Sequence, residues 1–280
     1  MTHLFFLLTF WSVSLSLLAA TESEISSPLI VASLKLQGFQ CHNKLVDGCS
    51  YQECLGSLPG YPQPVLMLVP KKVAALRLHF HGHKLGKFPE YEKNLTSMLQ
   101  AFKLNQSLCQ ASELAVFPES SGNCTTYDET LRDKPALENF LTELHSALGQ
   151  NLKRAPLNLS AHSGGGRVLS RFLASQIPVA SVSVFDGIYS ESVKNILSQW
   201  YKTSEGKLVL ATVKGMDPYK FTIRLKQEIG ETLSSAPATF QGTSYEVSRG
   251  LRMIHFCRAA GDVGALQAHY DVMTQTWSEN

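Results

Sequence analysis

Short apolar runs of strand length alternate with helix-like segments along most of the chain. The apolar runs cover residues 29–36, 64–69, 74–80, 113–117, 157–160, 179–185, 207–213 and 251–256. Apolar residues three and four positions apart predict helices over 136–152, 167–176 and 191–201. Strands that alternate with helices pair in parallel through right-handed crossovers. The pattern therefore predicts a three-layer α/β fold whose central sheet is mostly parallel, begins with antiparallel strands and carries helices on both faces.

Two regions interrupt this alternation. The Cys-rich stretch 38–60 predicts a loop, and the polar, poorly periodic segment 217–250 predicts an insertion or a cap over a site. No repeat, low-complexity segment or Pro/Gly-rich linker divides the chain. Residues 21–280 are therefore interpreted as a single domain.

Residues 1–20 contain no Lys, Arg, Asp or Glu and end in Ala19 and Ala20 after a run of apolar side chains. This composition predicts a signal peptide that is cleaved near Ala20 and a secreted or periplasmic mature chain. An uncleaved N-terminal anchor is the alternative interpretation. No later stretch is long and apolar enough to span a membrane, so no stable membrane insertion is expected after signal removal.

The charge balance narrows the class of partner. The chain has 25 Lys and Arg against 23 Asp and Glu, which gives a formal net charge of +2 with no block of like charge. Nucleic acid is therefore not an expected partner. With 44% hydrophobic and 17% charged residues, the chain has enough apolar material for a sheet that is buried on both faces.

The six cysteines are an even number in a chain expected to be exported, which predicts disulfides. Cys109 and Cys124 flank the apolar segment 114–118 and are predicted to bond to each other. The other four cysteines allow three pairings, which the sequence leaves open. Sequons for N-linked glycosylation occur at Asn94, Asn105, Asn123 and Asn158, the last within an apolar run that predicts a buried strand.

Candidate chemistry is concentrated around Ser163. The apolar run 157–160 leads into Ala161-His162-Ser163-Gly164-Gly165, and a helix is predicted to begin near Arg167. A nucleophile on such a sharp turn needs small neighbours, because larger side chains would clash with the converging strand and helix. At these residues the chain resembles the α/β-hydrolase superfamily of serine esterases and peptidases, although Ala161 replaces the usual glycine.

Two other interpretations of this stretch remain, a Gly-rich turn that caps a helix and a phosphate site at a helix N-terminus. No Gly-Lys-Ser/Thr sequence follows the glycines, and the G-x-G-x-x-G spacing is absent. Both absences favour a nucleophile over a phosphate site.

The strand predicted to end at Phe80-His81-Gly82-His83 resembles the superfamily segment that supplies one oxyanion-hole N–H. The resemblance implies that the backbone amides of His83 or Gly82, together with that of Gly164, form the hole. His81 and His162 are expected to contact substrate.

A metal site is the rival hypothesis for this strand. His79, His81 and His83 alternate and would therefore share one face, which vaguely resembles the H-x-H-x-D-H run of metallo-β-lactamase-fold hydrolases. Gly82 stands where that motif has Asp. His79 also fits a histidine packed beneath the active site.

The resemblance further implies an acid and then a histidine after Ser163 in the chain. Asp186, at the end of the run 179–185, is the preferred acid, with Asp217 and Asp262 as alternatives. His269 is the expected base. His255 is expected to pack in the sheet, and His162 to point away from the proton-transfer path.

These observations predict an exported serine hydrolase that cleaves an ester or amide of a small molecule or peptide through an acyl-enzyme and needs no cofactor. A zinc hydrolase that uses His79, His81 and His83 is one alternative. The other is a non-catalytic binding protein that retains the fold.

Overall fold

The computed structural model describes residues 25–46, 48–82, 111–120, 127, 129–240, 243–258 and 272. Its strands are β1 (Ile25–Ser26), β2 (Gln40–Val46), β3 (Cys49–Leu58), β4 (Tyr61–Pro70), β5 (Lys72–Val73), β6 (Ala75–Phe80), β7 (Glu113–Pro118), β8 (Leu157–His162), β9 (Ser181–Phe185), β10 (Lys207–Val213), β11 (Ser234–Phe240), β12 (Thr243–Arg249) and β13 (Met253–Arg258). Its helices are α1 (Ser27–Leu36), α2 (Lys134–Leu148), α3 (Gly166–Ala174), α4 (Glu191–Thr203) and α5 (Asp217–Ile229). Short 3₁₀ turns cover Gln150–Arg154 and Ser163–Gly165.

Within the described ranges, eleven strands form one sheet in the order β11-β12-β13-β10-β9-β8-β6-β7-β4-β3-β2. Six neighbouring strands at the centre of the sheet pair in parallel: β13, β10, β9, β8, β6 and β7. The remaining pairs, with β12 and β11 at one edge and with β4, β3 and β2 at the other, are antiparallel. The α/β class and the antiparallel start are confirmed. Strand β8, which leads to Ser163, lies in the parallel centre between β6 and β9.

The two faces of the sheet carry different side chains. On β4, Val65, Met67 and Val69 face a large apolar cluster that contains buried residues of all five helices. Leu66 and Leu68 face a second, smaller cluster, to which Val272 contributes. Successive side chains of a strand alternate between faces, so the near-continuous apolar runs of the sequence fill both clusters.

Part of the second face is polar and buried. Arg77 pairs with Glu113, whose Oε1 also accepts a 2.6 Å hydrogen bond from the amide of Asn158. The Asn158 Oδ1 in turn accepts a 2.8 Å bond from Ser181, so the network joins β7, β6, β8 and β9. Asn158 is 7% exposed and its amide is hydrogen-bonded, so the folded protein has no room for a glycan on this residue.

The predicted strand over 29–36 is wrong, because these residues form most of α1. Pro28 occupies the first turn, where a proline costs no helical hydrogen bond. Ile30, Val31 and Leu34 are buried on one side of the helix, while Leu29 and Leu36 are exposed. A short apolar run cannot be assigned to strand or helix by periodicity alone. Here the buried positions are three and four residues apart, as in a helix.

The predicted loop over 38–60 is also wrong. Its residues form the antiparallel strands β2 and β3, in which Cys41 stands opposite Cys54. These two cysteines form a disulfide across the strand pair. Gly56 allows the close approach of Phe39, because a Cβ atom at position 56 would lie 2.6 Å from the Phe39 ring.

Cys49 is also disulfide-bonded, and Cys257 is a half-buried free thiol. Cys109 and Cys124 lie outside the described residues.

The segment 217–250, interpreted from its polarity as an insertion or cap, forms α5 and the strands β11 and β12. β12 pairs with β13, so the segment extends the central sheet at one edge. Its polarity reflects an exposed edge and a half-exposed helix whose buried residues are Pro218, Thr222 and Leu225.

No helix in the described part of the chain is long and apolar enough to cross a membrane. The predicted signal peptide, residues 1–20, lies outside the described residues.

Candidate active site

Ser163 is the first residue after β8 and has a left-handed backbone conformation, with φ of +51°. β8 ends at His162, the turn Ser163–Gly165 follows, and α3 begins at Gly166. A positive φ at a residue with a side chain costs about 1–3 kcal/mol and persists only where its surroundings enforce it. The hydroxyl of Ser163 is consequently presented at the carboxyl edge of the parallel strands.

Two glycines allow this turn to fit between neighbouring strands. A Cβ atom at Gly165 would lie 2.1 Å from the carbonyl oxygen of Phe80, at the end of β6. A Cβ atom at Gly166 would lie 2.1 Å from the carbonyl oxygen of Gly187, after β9. Both contacts are with backbone atoms, so no larger residue fits without displacing a strand end. The small residues near Ser163 are therefore required by packing.

Gly82 lies directly beside the serine. A Cβ atom on Gly82 would lie 2.9 Å from the Ser163 Cβ and 2.5 Å from Nδ1 of His162. β6 and β8 are parallel neighbours, with Phe80 opposite Ala161, which brings the segment after β6 to Ser163. Gly164, the other predicted oxyanion donor, follows Ser163 in the same turn. His83 lies outside the described residues.

His81 is buried and uses both ring nitrogens within the protein. Its Nδ1 donates to the carbonyl of Gly82 at 2.9 Å, and its Nε2 accepts from the backbone N–H of Ser120 at 3.3 Å. Burial lowers the pKa of His81 to about 4, against a smaller upward effect of the Gly82 bond. The ring is therefore neutral at pH 7, and its hydrogen bond holds the Gly82 carbonyl in place.

His79 and His162 are also buried. His79 shares a 2.9 Å hydrogen bond between its Nδ1 and the hydroxyl of Ser160, and burial lowers its pKa to about 3. His162 is 6% exposed and packs beside Gly82. Among the described residues, no group of three or more His, Cys, Asp or Glu side chains is placed to hold a metal ion.

Asp186 is the first residue after β9, is 3% exposed and has a φ of +43°. Its N–H donates to Ala211 at 2.8 Å, and its Oδ1 accepts a 3.2 Å bond from the N–H of Val213. These bonds hold the carboxylate at the strand ends next to β8. Asp217, by contrast, lies in the first turn of α5 with a 78% exposed side chain, where it pairs with Lys220 at 3.1 Å.

His255 lies in β13 beneath α5. Its Nδ1 accepts from Lys226 at 3.1 Å, so the ring donates from Nε2 to the Thr212 hydroxyl at 2.8 Å. This placement agrees with the expectation that His255 packs in the sheet. His269 and Asp262 lie outside the described residues. β13 ends at Arg258 beside β10, at the same edge of the sheet as Asp186.

Tyr189 was not expected at this site. Its hydroxyl lies 3.3 Å from Oγ of Ser163, and its side chain is 49% exposed. The only hint in the sequence is its position three residues after Asp186, in the connection that leaves β9 at the carboxyl edge.

The described geometry thus combines a half-buried serine hydroxyl on a strained turn with an adjacent glycine, a buried carboxylate and a tyrosine hydroxyl. This combination suits nucleophilic attack on a carbonyl, followed by stabilisation of the resulting oxyanion by backbone N–H groups.

No protein-family model and no curated protein matches the chain. Among solved structures, the chain resembles a cold-adapted esterase from an Arctic intertidal metagenomic library, with 12% identity, a TM-score of 0.51 and coverage of 85% of this chain and 98% of that one. It also resembles an S-formylglutathione hydrolase from Agrobacterium tumefaciens, with 12% identity, a TM-score of 0.50 and the same two coverages. At this identity the likeness concerns the fold. The strand order and these neighbours show that the chain has the α/β-hydrolase fold.

Proposed function

We propose that the chain is an exported serine hydrolase that cleaves an ester or amide bond through an acyl-enzyme. The observation that carries the proposal is the backbone of Ser163, whose φ of +51° presents the hydroxyl at the carboxyl edge of the sheet. Strain of this kind is characteristic of the strand-to-helix turn that exposes a nucleophilic serine.

The roles of Gly82, Gly164 and Asp186 are proposed from their positions at the same edge of the sheet as Ser163, and those of His83 and His269 from the resemblance of the sequence. In acylation, Oγ attacks the substrate carbonyl carbon, His269 accepts the hydroxyl proton, and Asp186 holds the imidazole in the required tautomer. The negative charge that develops on the carbonyl oxygen is stabilised by backbone N–H groups of Gly164 and of Gly82 or His83. Each such donor contributes on the order of 10²–10³ in rate.

Collapse of the tetrahedral intermediate expels the leaving group, which takes its proton from His269. Water then attacks the acyl carbon while His269 accepts a water proton, and the bond between the acyl carbon and Oγ breaks. Oγ recovers its proton from the imidazolium, which restores the free enzyme. The reaction needs no cofactor.

An ester of a small molecule is the preferred substrate class. Two solved structures with the same fold are an esterase and an S-formylglutathione hydrolase. At 12% identity, the particular substrates of those proteins are not proposed for this chain. His162 is proposed to line the acyl side of the site, next to Gly82. Export is supported by the disulfide between Cys41 and Cys54, because such bonds persist in oxidising compartments.

The test is hydrolysis of matched 4-nitrophenyl esters and 4-nitroanilides by the oxidised protein and by Ser163→Ala, each with and without EDTA. We expect ester turnover that EDTA leaves unchanged and that Ser163→Ala lowers by at least about 10³-fold. Turnover that EDTA abolishes but Ser163→Ala preserves would instead support a zinc hydrolase. No turnover of any substrate in the panel would favour the binding-protein alternative.

A further inference from the structure

The hydroxyl of Tyr189, which follows β9, lies within hydrogen-bond distance of the proposed nucleophile. β8 lies between β6 and β9 in the sheet. Gly82 follows β6 and packs beside Ser163, whereas Tyr189 follows β9, the strand on the other side of β8, and its hydroxyl lies 3.3 Å from Oγ. The phenol is therefore placed to act on Oγ of Ser163.

The backbone on both sides of Tyr189 is fixed. Ile188 is 1% exposed within the main apolar cluster. Ser190 is the N-cap of α4, and its hydroxyl accepts a 3.3 Å hydrogen bond from the N–H of Val193. The nearby Gly187 packs against the turn, because a Cβ atom there would lie 3.2 Å from the Ser163 carbonyl oxygen. These contacts fix the base of the side chain, while the ring itself is partly exposed to the site.

We propose, on the basis of the serine hydrolase function above, that Tyr189 is a catalytic residue that assists Oγ as the leaving group of deacylation. When the bond between the acyl carbon and Oγ breaks, its electron pair goes to Oγ, and the proton comes from the imidazolium. Tyr189 donates a hydrogen bond to the departing oxygen throughout and keeps its own proton. The step needs no further reactant.

The effect should be larger on deacylation than on acylation. In the free enzyme the Tyr189 hydroxyl is already within hydrogen-bond distance of Oγ, so its interaction changes little as attack begins. In the acyl-enzyme, Oγ is an ester oxygen and a weak acceptor, and it becomes strongly basic as it departs. Only an interaction that strengthens toward the transition state accelerates a step, so the phenol favours deacylation.

The two steps can be separated by stopped-flow measurements with 4-nitrophenyl acetate. The initial burst of nitrophenol reports acylation, and the steady rate reports deacylation. The variant is Tyr189→Phe, which removes one oxygen from a half-exposed ring. Tyr219→Phe, the same change at a half-buried tyrosine of α5, is the matched control. Ser163→Ala measures serine-independent turnover.

For Tyr189→Phe we expect a deacylation rate about tenfold lower, an acylation rate within about threefold of the starting protein, and a more prominent burst. Phenyl acetate, which forms the same acyl-enzyme, should then give the same kcat as the nitrophenyl ester. Tyr219→Phe should leave both rates unchanged. An equal fall in both rates, an effect on acylation alone, or unchanged rates in Tyr189→Phe would overturn the role of Tyr189. Turnover of the starting protein that Ser163→Ala does not reduce would overturn the serine mechanism itself.

Discussion

Gly82 packs so closely beside Ser163 that a Cβ atom on residue 82 would lie 2.9 Å from the Ser163 Cβ. The two residues come from parallel neighbouring strands, so their distance is set by the sheet and not by local sequence. Any side chain at position 82 therefore has to displace the serine or the segment that is proposed to stabilise the oxyanion.

Gly82→Ala should reduce catalysis more than folding. A Cβ atom at this distance forces the segment after β6 away from Ser163, so we expect kcat/KM for an ester to fall on the order of 10²-fold. Gly206→Ala is the matched control, because its Cβ would meet Trp200 at 2.6 Å and the Ala180 carbonyl at 2.8 Å, near the amino ends of the strands. That variant should lower the melting temperature and keep kcat/KM per folded molecule. Equal losses of activity in both variants would argue against a role for Gly82 in the site.

Asp186→Asn should lower kcat far more than Asp217→Asn. Asn tolerates the left-handed backbone that Asp186 adopts at φ of +43°, so the substitution removes charge with little strain. An amide cannot stabilise the imidazolium, and we expect a loss on the order of 10³–10⁴-fold in kcat. Asp217 is exposed and paired with Lys220, so its variant should stay within about twofold. Steady-state kinetics of the two variants distinguish which aspartate is the acid of the triad. A loss of kcat confined to Asp217→Asn would assign that role to Asp217.

The features that could be predicted from sequence are those that depend on local patterns. The strand Lys207–Val213 has the predicted bounds, because a continuous apolar run flanked by polar residues is typical of a buried parallel strand. The sharp strand-to-helix turn at Ser163 could be predicted because the small residues that it requires are adjacent in the chain.

The missed features depend on tertiary contacts. α1 is a helix because packing buries Ile30, Val31 and Leu34 on one side, which a short apolar run does not reveal. Tyr189 reaches Ser163 only because β9 pairs with β8, and no pattern around Tyr189 records that pairing. Its proximity to the serine therefore had to come from the structure.

The bond between Cys41 and Cys54 should stabilise the protein without affecting the site. It closes a loop with a sequence separation of 13, and β3 is separated from β8 by β4, β7 and β6. We expect replacement of both cysteines by serine to lower the free energy of unfolding by about 2–4 kcal/mol. Denaturant titration measures this change, and ester turnover below the unfolding transition should be unchanged. A loss of turnover in the folded variant would show that the edge strands are coupled to the site.

Stability should fall as the pH drops below the ordinary pKa of histidine, and His255 should account for part of the fall. Burial, followed by the nearby Lys226 charge, lowers its pKa to about 3. Its stabilising effect is therefore fully present above about pH 6.5 and is lost as the pH falls toward 3, because the unfolded chain takes up a proton that the folded one does not. The pKa values of His79 and His81 are also lowered, so these two residues likewise make the protein less stable as the pH falls.

His255→Gln keeps an acceptor for Lys226 and a donor for Thr212, but it cannot take up a proton. Between pH 6 and 5, the free energy of unfolding of the variant should depend on pH less steeply than that of the starting protein, by about 1 kcal/mol per pH unit. Urea titrations at several pH values give both slopes. Equal slopes of the free energy of unfolding against pH in the two proteins would mean that His255 has the same pKa in the folded and unfolded states.

The central claim is that Ser163 is an activated nucleophile, and covalent labelling tests it most directly. The oxidised, folded protein is incubated with a fluorophosphonate, and the modified residue is located by mass spectrometry of its peptides. The account predicts a single adduct on Ser163, absent from Ser163→Ala and formed much more slowly in Asp186→Asn. A folded protein that takes up no label, or that labels equally well after Ser163→Ala, would contradict it.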